Sequence, residues 1–352
     1  MLVAFTNRRA PSASPRPTDP AVTVASSSGT AAHPPPPAAA FPARGRKVRS
    51  RTLLLAPEIF ASEGGIPRIL QVYLKALCEL PEAGHGVRLV ALNDAEINSS
   101  SLHRYASAAL DDWHVCSRNK ARFVRAALRM SRGCERVVCG HVGQLPVAWL
   151  ARRLNPRLRY YLVAHGIEVW RQFNLAERLA LRDAERVLCV SDYTRRELLK
   201  HCPLRRGRAV VLHNTLDPHF DIAGGTPLAQ CPPVILVVTR LTHDDRYKGV
   251  QHLIEAMPAI RAAIPAATLR IVGRGDDQPR LQALRDELGL ADAVEFTGFI
   301  DDACLAEEMR RCRLFALPSK KEGFGLVFVE AMAHGRPCLG ARAGGIPAVI
   351  TH

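Results

Sequence analysis

Short apolar runs alternate with amphipathic segments along most of this chain, and glycine-containing loops separate the two. Each run has the length of a buried strand, whereas the segments that follow carry apolar positions at helical spacing. Repeated strand, loop and helix units predict a parallel sheet covered by helices. In the first half, strands are predicted at residues 52–56, 87–92, 137–141, 160–166, 186–191 and 210–214, and helices at 69–80, 117–134, 146–154 and 193–200.

The second half repeats this pattern after a stretch rich in proline and glycine, which predicts a linker at residues 223–233. The fold class predicted is therefore α/β, with two doubly wound, Rossmann-like domains at residues 51–222 and 234–352 that face each other across a cleft. In the second domain, strands are predicted at residues 234–239, 268–272, 294–297 and 313–319, and helices at 249–257, 278–288, 304–311 and 326–334.

Residues 1–50 differ from the rest in composition. They consist mainly of Ala, Pro, Ser and Thr, and they carry seven basic residues against Asp19 alone. This composition predicts a disordered basic tail. The tail is either a targeting or tethering arm, or a dispensable extension that includes a start site assigned too early.

Composition narrows the class of protein only partly. The 352 residues carry a formal net charge of +15, which favours acidic partners such as nucleotides or anionic lipid surfaces. The ten cysteines show no Cys-x-x-Cys pair, so reduced thiols and a cytoplasmic location are expected. No apolar run approaches the length of about 18 residues that a membrane span needs.

The predicted helix at 117–134 has a cationic face. Five arginines recur at steps of three and four, namely Arg118, Arg122, Arg125, Arg129 and Arg132. This face either contacts an anionic membrane peripherally, at its inner surface, or belongs to an ordinary solvated helix. Nucleic acid is not expected as a partner, because aromatic residues are only 6% of the chain and no nucleic-acid motif accompanies the charge.

The strongest functional signal is the stretch at 320–330, which follows a predicted strand and runs into a helix. Gly323 and Gly325 allow close approach of the backbone, and the helix start offers free N–H groups to an anion. Glu322 and Glu330 flank this loop, and Glu330 is the one charge among residues 326–333. Glu330 is thus either a buried functional acid or a first-turn residue favoured by the helix dipole.

Other candidate residues lie where ligands bind in open α/β sheets, at the carboxyl ends of strands. His165 ends one predicted strand, and Gly64 and Gly65 follow another, where they either admit a ligand or form a plain turn. Arg240 and Lys248 lie at the same edge of the second sheet, and two cations beside a helix start suit a diphosphate. The sequence has no Asp-x-Asp motif, so no metal is expected.

From residue 52 onward the chain resembles the retaining glycosyltransferases of family 4, which have the GT-B fold. The motifs that carry the resemblance are densest in the second half. They are Val-Thr-Arg-Leu at 238–241, Lys-Gly at 248–249, Ile-Val-Gly-Arg-Gly at 271–275, Phe-Thr-Gly-Phe at 296–299, the segment 318–330 with its Glu-x7-Glu pair, Ala-His-Gly-Arg-Pro at 333–337 and Gly-Gly-Ile-Pro at 344–347.

The resemblance implies roles for the candidate residues. The donor would be a nucleotide-diphosphate sugar, UDP- or GDP-linked, and the acceptor a glycan or a lipid-linked molecule. Arg240 and Lys248 would bind the diphosphate, Glu322 would hold the sugar, Glu330 would take the ribose hydroxyls, and His165 would contact the sugar. The remaining donor-binding positions implied are Gly64, Gly65, Gly273, Gly275, Gly323, Phe324, Gly325 and Leu326.

One departure from the family concerns the end of the sequence. Family members continue beyond Gly-Gly-Ile-Pro with a long final helix, whereas this sequence stops at His352. We therefore expect an incomplete second domain with exposed apolar surface and poor stability. Two other classes of function stay open at this point: a nucleotide-sugar epimerase or phosphorylase on the same fold, and a binding protein without catalytic activity.

Overall fold

A computed structural model describes residues 2–4, 50–62, 64–81, 85–222 and 225–351. Strand β1 (Leu2–Ala4) belongs to the second of two sheets. The first sheet has seven parallel strands in the order β4-β3-β2-β5-β6-β7-β8. Its strands are β2 (Ser50–Ala56), β3 (His85–Ala91), β4 (Leu110–Val115), β5 (Arg136–Cys139), β6 (Arg159–Ala164), β7 (Arg186–Cys189) and β8 (Ala209–Val211).

Helices cover both faces of this sheet, because its strands are apolar on both sides. In β2, Leu53 and Leu55 enter the core on one face, whereas Leu54 and Ala56 enter the core on the other. The helices of this half are α1 (Gly65–Cys78), α2 (Ser99–Tyr105), α3 (Lys120–Met130), α4 (Leu145–Leu154), α5 (Leu175–Asp183) and α6 (Asp192–His201).

The second sheet has five parallel strands, and β1 pairs antiparallel with its edge strand. The sheet order is β1-β13-β12-β9-β10-β11. Its remaining elements are β9 (Val234–Val238), α7 (Val250–Ala263), β10 (Thr268–Val272), α8 (Gln278–Glu287), β11 (Val294–Gly298), α9 (Asp302–Arg311), β12 (Leu314–Leu317), α10 (Leu326–Ala333) and β13 (Cys338–Ala341).

The predicted α/β fold is confirmed, but several elements differ from the prediction. Residues 95–117 form α2 and β4, which were missed because β4 is an edge strand whose Asp111 and Asp112 are exposed. Helix α5 and strand β13 were also not predicted. The helix predicted at 69–80 begins earlier, at Gly65, because Gly64 provides its N-terminal boundary.

The arginine-rich helix is shorter than predicted. Ser117 and Arg118 have positive φ angles of 48° and 65°, and the Asn119 side chain accepts the Arg122 N–H at 2.9 Å, so α3 begins at Lys120. Arg118 and Arg132 therefore flank the helix. All five arginines are exposed, as the predicted polar face requires, namely Arg118, Arg122, Arg125, Arg129 and Arg132.

Most of the predicted disordered tail lies outside the described residues. Within residues 1–50, the structure describes only Leu2–Ala4 and Ser50, and both belong to strands. The prediction of a disordered tail otherwise falls on residues outside the described part of the chain and stays a prediction. The predicted linker at 223–233 is described from residue 225 onward, and it contains a short 3-10 turn at Leu228–Gln230.

Candidate active site

Glycines shape the loop between β12 and α10. Gly325 has a φ of 95° and forms the N-terminal boundary of α10, where no side chain caps the helix. The Gly345 N–H donates to the carbonyl of Glu322 at 2.6 Å, so the Gly344–Gly345 turn that follows β13 stabilises the loop. The backbone N–H groups at the start of α10 therefore face no side-chain cap that would compete with an anion.

Gly323 lies where the glycine loop of the second domain contacts the first domain. A Cβ atom at this position would lie 1.7 Å from the His165 carbonyl oxygen, so only glycine fits here. The Ser191 hydroxyl, at the start of α6, donates to the Gly323 carbonyl at 2.6 Å, and Thr194 Oγ1 lies 3.5 Å from the same oxygen. Two hydroxyl groups at the carboxyl edge of the first sheet thus contact the glycine loop of the second domain through the Gly323 carbonyl.

Lys248 and Glu322 form an ion pair beside this loop. The Lys248 ammonium donates to Glu322 Oε1 at 2.5 Å, and the two side chains are only 16% and 13% exposed. Lys248 reaches this position because a 3-10 turn (His243–Lys248) ends there and Gly249, with a φ of 77°, precedes the first residue of α7. The structure therefore brings together two of the residues that the sequence singled out.

Arg240 lies at the same edge but is held by a different carboxylate. Its guanidinium lies 3.2 Å from Asp245 Oδ2, and its side chain is 71% exposed. Asp245 is buried and also accepts hydrogen bonds from Thr242 and Tyr247, both at 2.8 Å. The buried Asp245 therefore anchors one terminal nitrogen of the Arg240 guanidinium, while most of the Arg240 side chain stays exposed.

Glu330 is a buried acid, as one of the two hypotheses for it required. It is 7% exposed. Burial raises the pKa of its carboxyl, and the nearby Arg68 guanidinium acts against this rise. Arg68 Nη1 donates to Glu330 Oε1 at 3.1 Å, and Arg68 Nη2 donates to Asp302 at the start of α9. Arg68 belongs to the first domain, so this ion pair crosses the cleft.

His165 is buried at the end of β6. Its Nε2 lies 3.0 Å from the Gly140 carbonyl, which only accepts, so Nε2 carries the ring proton. Burial lowers the pKa of His165 to about 4, which keeps the ring neutral at physiological pH. Its backbone N–H donates to Glu168 Oε1 at 2.5 Å, and its carbonyl packs on Gly323.

The other predicted glycines divide into two groups. Gly64, with a φ of 149°, precedes α1, and a Cβ added to Gly65 would meet nothing within 4 Å, so this turn borders open space. In contrast, Gly273 and Gly275 pack against the backbone of residues 239–241, at 1.8 Å and 2.2 Å from an added Cβ. The two glycines thus pack against Thr239 and Leu241, the residues on either side of Arg240, and so help to position Arg240.

The remaining predicted positions lie at the loop itself. Phe324 is buried, and its ring centroid lies 5.5 Å from that of His213 in the first domain. Leu326 opens α10 and is half-buried. Phe324 thus adds an apolar contact to the polar ones that hold the two domains together.

Arg68 and its second partner Asp302 were not among the predicted site residues. One signal was present: Arg68 follows Gly64 and Gly65 by one helical turn and is the first charge on α1. Ser191 caps α6, since its hydroxyl oxygen accepts the Thr194 N–H at 3.2 Å. Its hydrogen bond to the Gly323 carbonyl was not predicted, because that contact depends on how the two domains pack.

Comparison with known proteins agrees with this architecture. The profile of the family described as Glycosyltransferase Family 4 matches residues 70–220, and that described as Glycosyl transferases group 1 matches residues 232–352. The chain superimposes on the crystal structure of Anabaena HepE in complex with UDP with a TM-score of 0.68 and 20% identity, covering 86% of this chain and 83% of HepE.

Two curated relatives are similar over part of their length. A GDP-mannose-dependent alpha-(1-6)-phosphatidylinositol monomannoside mannosyltransferase of Mycolicibacterium smegmatis is 32% identical over 225 residues, which is 57% of this chain and 56% of the relative. The N-acetyl-alpha-D-glucosaminyl L-malate synthase of Bacillus anthracis is 38% identical over 116 residues, 33% of this chain and 30% of the relative. The chain thus spans about half the length, or less, of these relatives.

The two family profiles match both halves of the chain, one in each of the two α/β domains. The chain belongs to the family 4 glycosyltransferases and has the GT-B fold.

Proposed function

We propose that this protein is a retaining glycosyltransferase that moves a sugar from a nucleotide-diphosphate sugar to a glycan or lipid-linked acceptor. The observation that carries the proposal is the half-buried Lys248–Glu322 pair beside the uncapped start of α10, with the buried Glu330 one turn further on. The cation and the free N–H groups suit the diphosphate of such a ligand. The two acids suit its sugar and its ribose. HepE, which shares the fold, has been solved with UDP and with UDP-glucose.

Each group has a role that follows from its chemistry. Arg240 and Lys248 neutralise the diphosphate and stabilise the charge that develops as it leaves the sugar. Glu322 accepts hydrogen bonds from the sugar hydroxyls, and backbone N–H groups at 323–325 donate to the sugar oxygens. Glu330 accepts from the ribose hydroxyls. In a retaining transfer the acceptor attacks the face from which the diphosphate departs, so the diphosphate oxygen itself takes the acceptor's proton.

His165 contributes as a neutral group. Because its ring is buried and Nε2 donates to Gly140, Nδ1 is left as a hydrogen-bond acceptor, on a residue whose backbone carbonyl packs on Gly323 of the loop that would hold the sugar. A neutral imidazole there orients a sugar hydroxyl without placing a second positive charge near the oxocarbenium-like transition state. His165 therefore contacts the substrate rather than exchanging a proton with it.

The acceptor side faces an anionic membrane surface in this proposal. Among the described residues no helix is both long and apolar enough to cross a bilayer. The arginines on and beside α3 offer a peripheral contact instead, since each basic residue near an anionic surface contributes about 1 kcal/mol. The mannosyltransferase relative, whose name specifies a phosphatidylinositol-linked acceptor, supports a lipid-linked substrate.

Vesicle sedimentation tests the membrane contact. Replacing Arg118, Arg122 and Arg132 by Gln should weaken binding to phosphatidylserine-containing vesicles on the order of a hundredfold, from about 1 kcal/mol for each charge. The control changes three exposed arginines elsewhere, Arg157, Arg206 and Arg311, to Gln. Equal losses in both triple variants would show that net charge, rather than the α3 region, binds the vesicle.

Ligand-induced stabilisation tests the donor site. UDP, GDP and their hexose derivatives should raise the melting temperature of the wild-type chain, since a ligand that binds only the folded state stabilises it. The Lys248→Met variant should lose this response. A folded wild-type protein that responds to no nucleoside diphosphate would overturn the donor assignment, whereas sugar isomerisation without an acceptor would indicate an epimerase.

A further inference from the structure

Four leucines lie exposed on two neighbouring helices of the first domain. On α4, Leu150 is 40% exposed and Leu154 71%, and on α5, Leu175 is 71% exposed and Leu179 41%. The members of each pair are four residues apart, so they lie on one face of their helix. Single exposed leucines are common on protein surfaces, whereas two such pairs on adjoining helices are a larger apolar feature. These four residues are called the leucine surface below.

Helices α4 and α5 belong to one layer with α3. Residues of all three helices, among them Ala127, Ala151 and Ala180, pack in the same core cluster against the first sheet. Arg152 Nη1 on α4 donates to the Asp183 carbonyl on α5 at 3.1 Å, which joins these two helices side by side. Because the buried residues of each helix face the sheet, the leucine surface faces away from it, on the outer side of the layer that also carries the exposed arginines of α3.

The outer side of this layer is basic. Helices α3 and α4 contain no acidic residue. Both acids of α5 are paired with arginines, since Glu177 lies 2.7 Å from Arg171 and Asp183 lies 3.8 Å from Arg152. The exposed basic residues of the three helices are Lys120, Arg122, Arg125, Arg129, Arg153 and Arg182. An apolar surface bordered by cations complements an anionic bilayer, whose headgroups pair with the cations and whose acyl chains take up the leucines.

The leucine surface also reaches the edge of the sheet that borders the cleft. Leu175 is the first residue of α5, which follows the carboxyl end of β6, where His165 lies. A bilayer in contact with Leu175 therefore lies next to the edge at which ligands bind in open α/β sheets. The headgroup of a lipid-linked acceptor has a short path from such a bilayer to the cleft.

We propose that the leucine surface inserts into the boundary between headgroups and acyl chains of an anionic bilayer, so that apolar burial as well as charge holds the protein on the membrane. This inference rests on the proposed function, in which the acceptor side faces a membrane. The two contributions respond differently to salt. Salt screens the contacts of arginines with headgroups, whereas it does not screen the burial of leucines.

Vesicle sedimentation of the full-length protein at low and at high salt separates the two contributions. The leucine variant carries Leu154→Gln and Leu175→Gln. The control variant carries Ile222→Gln and Ile264→Gln, at two positions outside the layer that are 63% and 50% exposed. On phosphatidylserine-containing vesicles, the leucine variant should bind about a hundredfold more weakly than wild type at both salt concentrations, since burial of each leucine contributes about a factor of ten. The control variant should bind like wild type.

Fluorescence quenching locates the inserted residue directly. Leu175→Trp places a tryptophan at the cleft end of the leucine surface, so vesicles with bromine atoms on their acyl chains should quench it. Ile264→Trp is the matched control, at the end of α7 in the second domain, and it should not be quenched. The wild-type protein gives the background of the three native tryptophans.

The possible failures point to different parts of the account. A leucine variant that binds as tightly as wild type, or an unquenched Leu175→Trp, would overturn the insertion and leave the arginine contact of the proposed function intact. A wild-type dimer and a monomeric leucine variant in light scattering would assign the surface to a second copy of the chain and would also overturn it. If wild type binds no anionic vesicle but is stabilised by a nucleoside diphosphate, the insertion and the membrane contact are both wrong while the donor site stands. Should the double leucine variant fail to fold, Leu175→Gln alone decides by the same comparison.

Discussion

Burial of His165 makes the stability of the first domain depend on pH in a calculable way. The folded protein holds this histidine with a pKa of about 4, against an ordinary value of 6.5, because burial disfavours the charged ring. A depressed pKa means that the unfolded chain takes up the proton first as the pH falls. The contribution to stability is therefore fully present above about pH 6.5, and it is lost between about pH 6.5 and 4.

The size of the effect follows from the two pKa values. At pH 5 the loss amounts to about 2 kcal/mol, and below pH 4 it approaches about 3 kcal/mol, since one pKa unit corresponds to roughly 1.4 kcal/mol. Glu330 acts in the opposite direction, because its pKa is raised by burial, and the lowered pKa of His141 acts in the same direction as His165. A comparison with His165→Gln removes both of these contributions to first order.

The assay is urea unfolding of wild type and His165→Gln at pH 7 and pH 5. All three tryptophans, Trp113, Trp149 and Trp170, lie in the first domain, so their fluorescence reports on the domain that contains His165. The Gln amide can still donate to the Gly140 carbonyl. The wild type should lose about 2 kcal/mol more than the variant between the two pH values. Equal losses in the two proteins would refute a buried, neutral His165.

Three further predictions concern the contacts around the glycine loop. Gly323→Ala should destabilise the protein by about 1–3 kcal/mol in urea unfolding and lower donor turnover, because its Cβ would collide with the His165 carbonyl, and a melt equal to wild type would contradict this. Ser191→Ala should cost about 1–2 kcal/mol by removing both the α6 cap and the hydrogen bond to Gly323, whereas Ser191→Thr should restore most of it. Lys248→Met should destabilise by about 3 kcal/mol because Glu322 is left nearly buried and unpaired, and adding Glu322→Leu should recover much of that loss; no recovery would show that the pair is not coupled.

The sequence predicted the sheets well where burial is complete. The run at Leu53, Leu54 and Leu55 is apolar on both faces of its strand, and this pattern is typical of a central strand in a parallel sheet. Strand β4 escaped prediction because an edge strand is solvated on one side, and its exposed Asp111 and Asp112 resemble a loop. The limits of prediction thus followed the degree of burial.

The candidate site shows a similar division. Lys248 and Glu322 were predicted to meet because both follow strands at one edge of one sheet, a relation that topology alone fixes. The Arg68–Glu330 contact was not predicted, because it depends on the angle at which two domains close. The expected poor stability of the chain stays a prediction that a melting experiment can test.

The most direct test of the central claim measures release of the nucleoside diphosphate from UDP- and GDP-hexoses, with and without phosphatidylinositol-containing vesicles as the acceptor. The account predicts that one donor is turned over by the wild type, and that Glu322→Gln lowers this turnover about a hundredfold, as removal of a group that acts in the transition state does. A folded wild-type protein that releases nothing from any donor, or a Glu322→Gln variant as active as wild type, would contradict it.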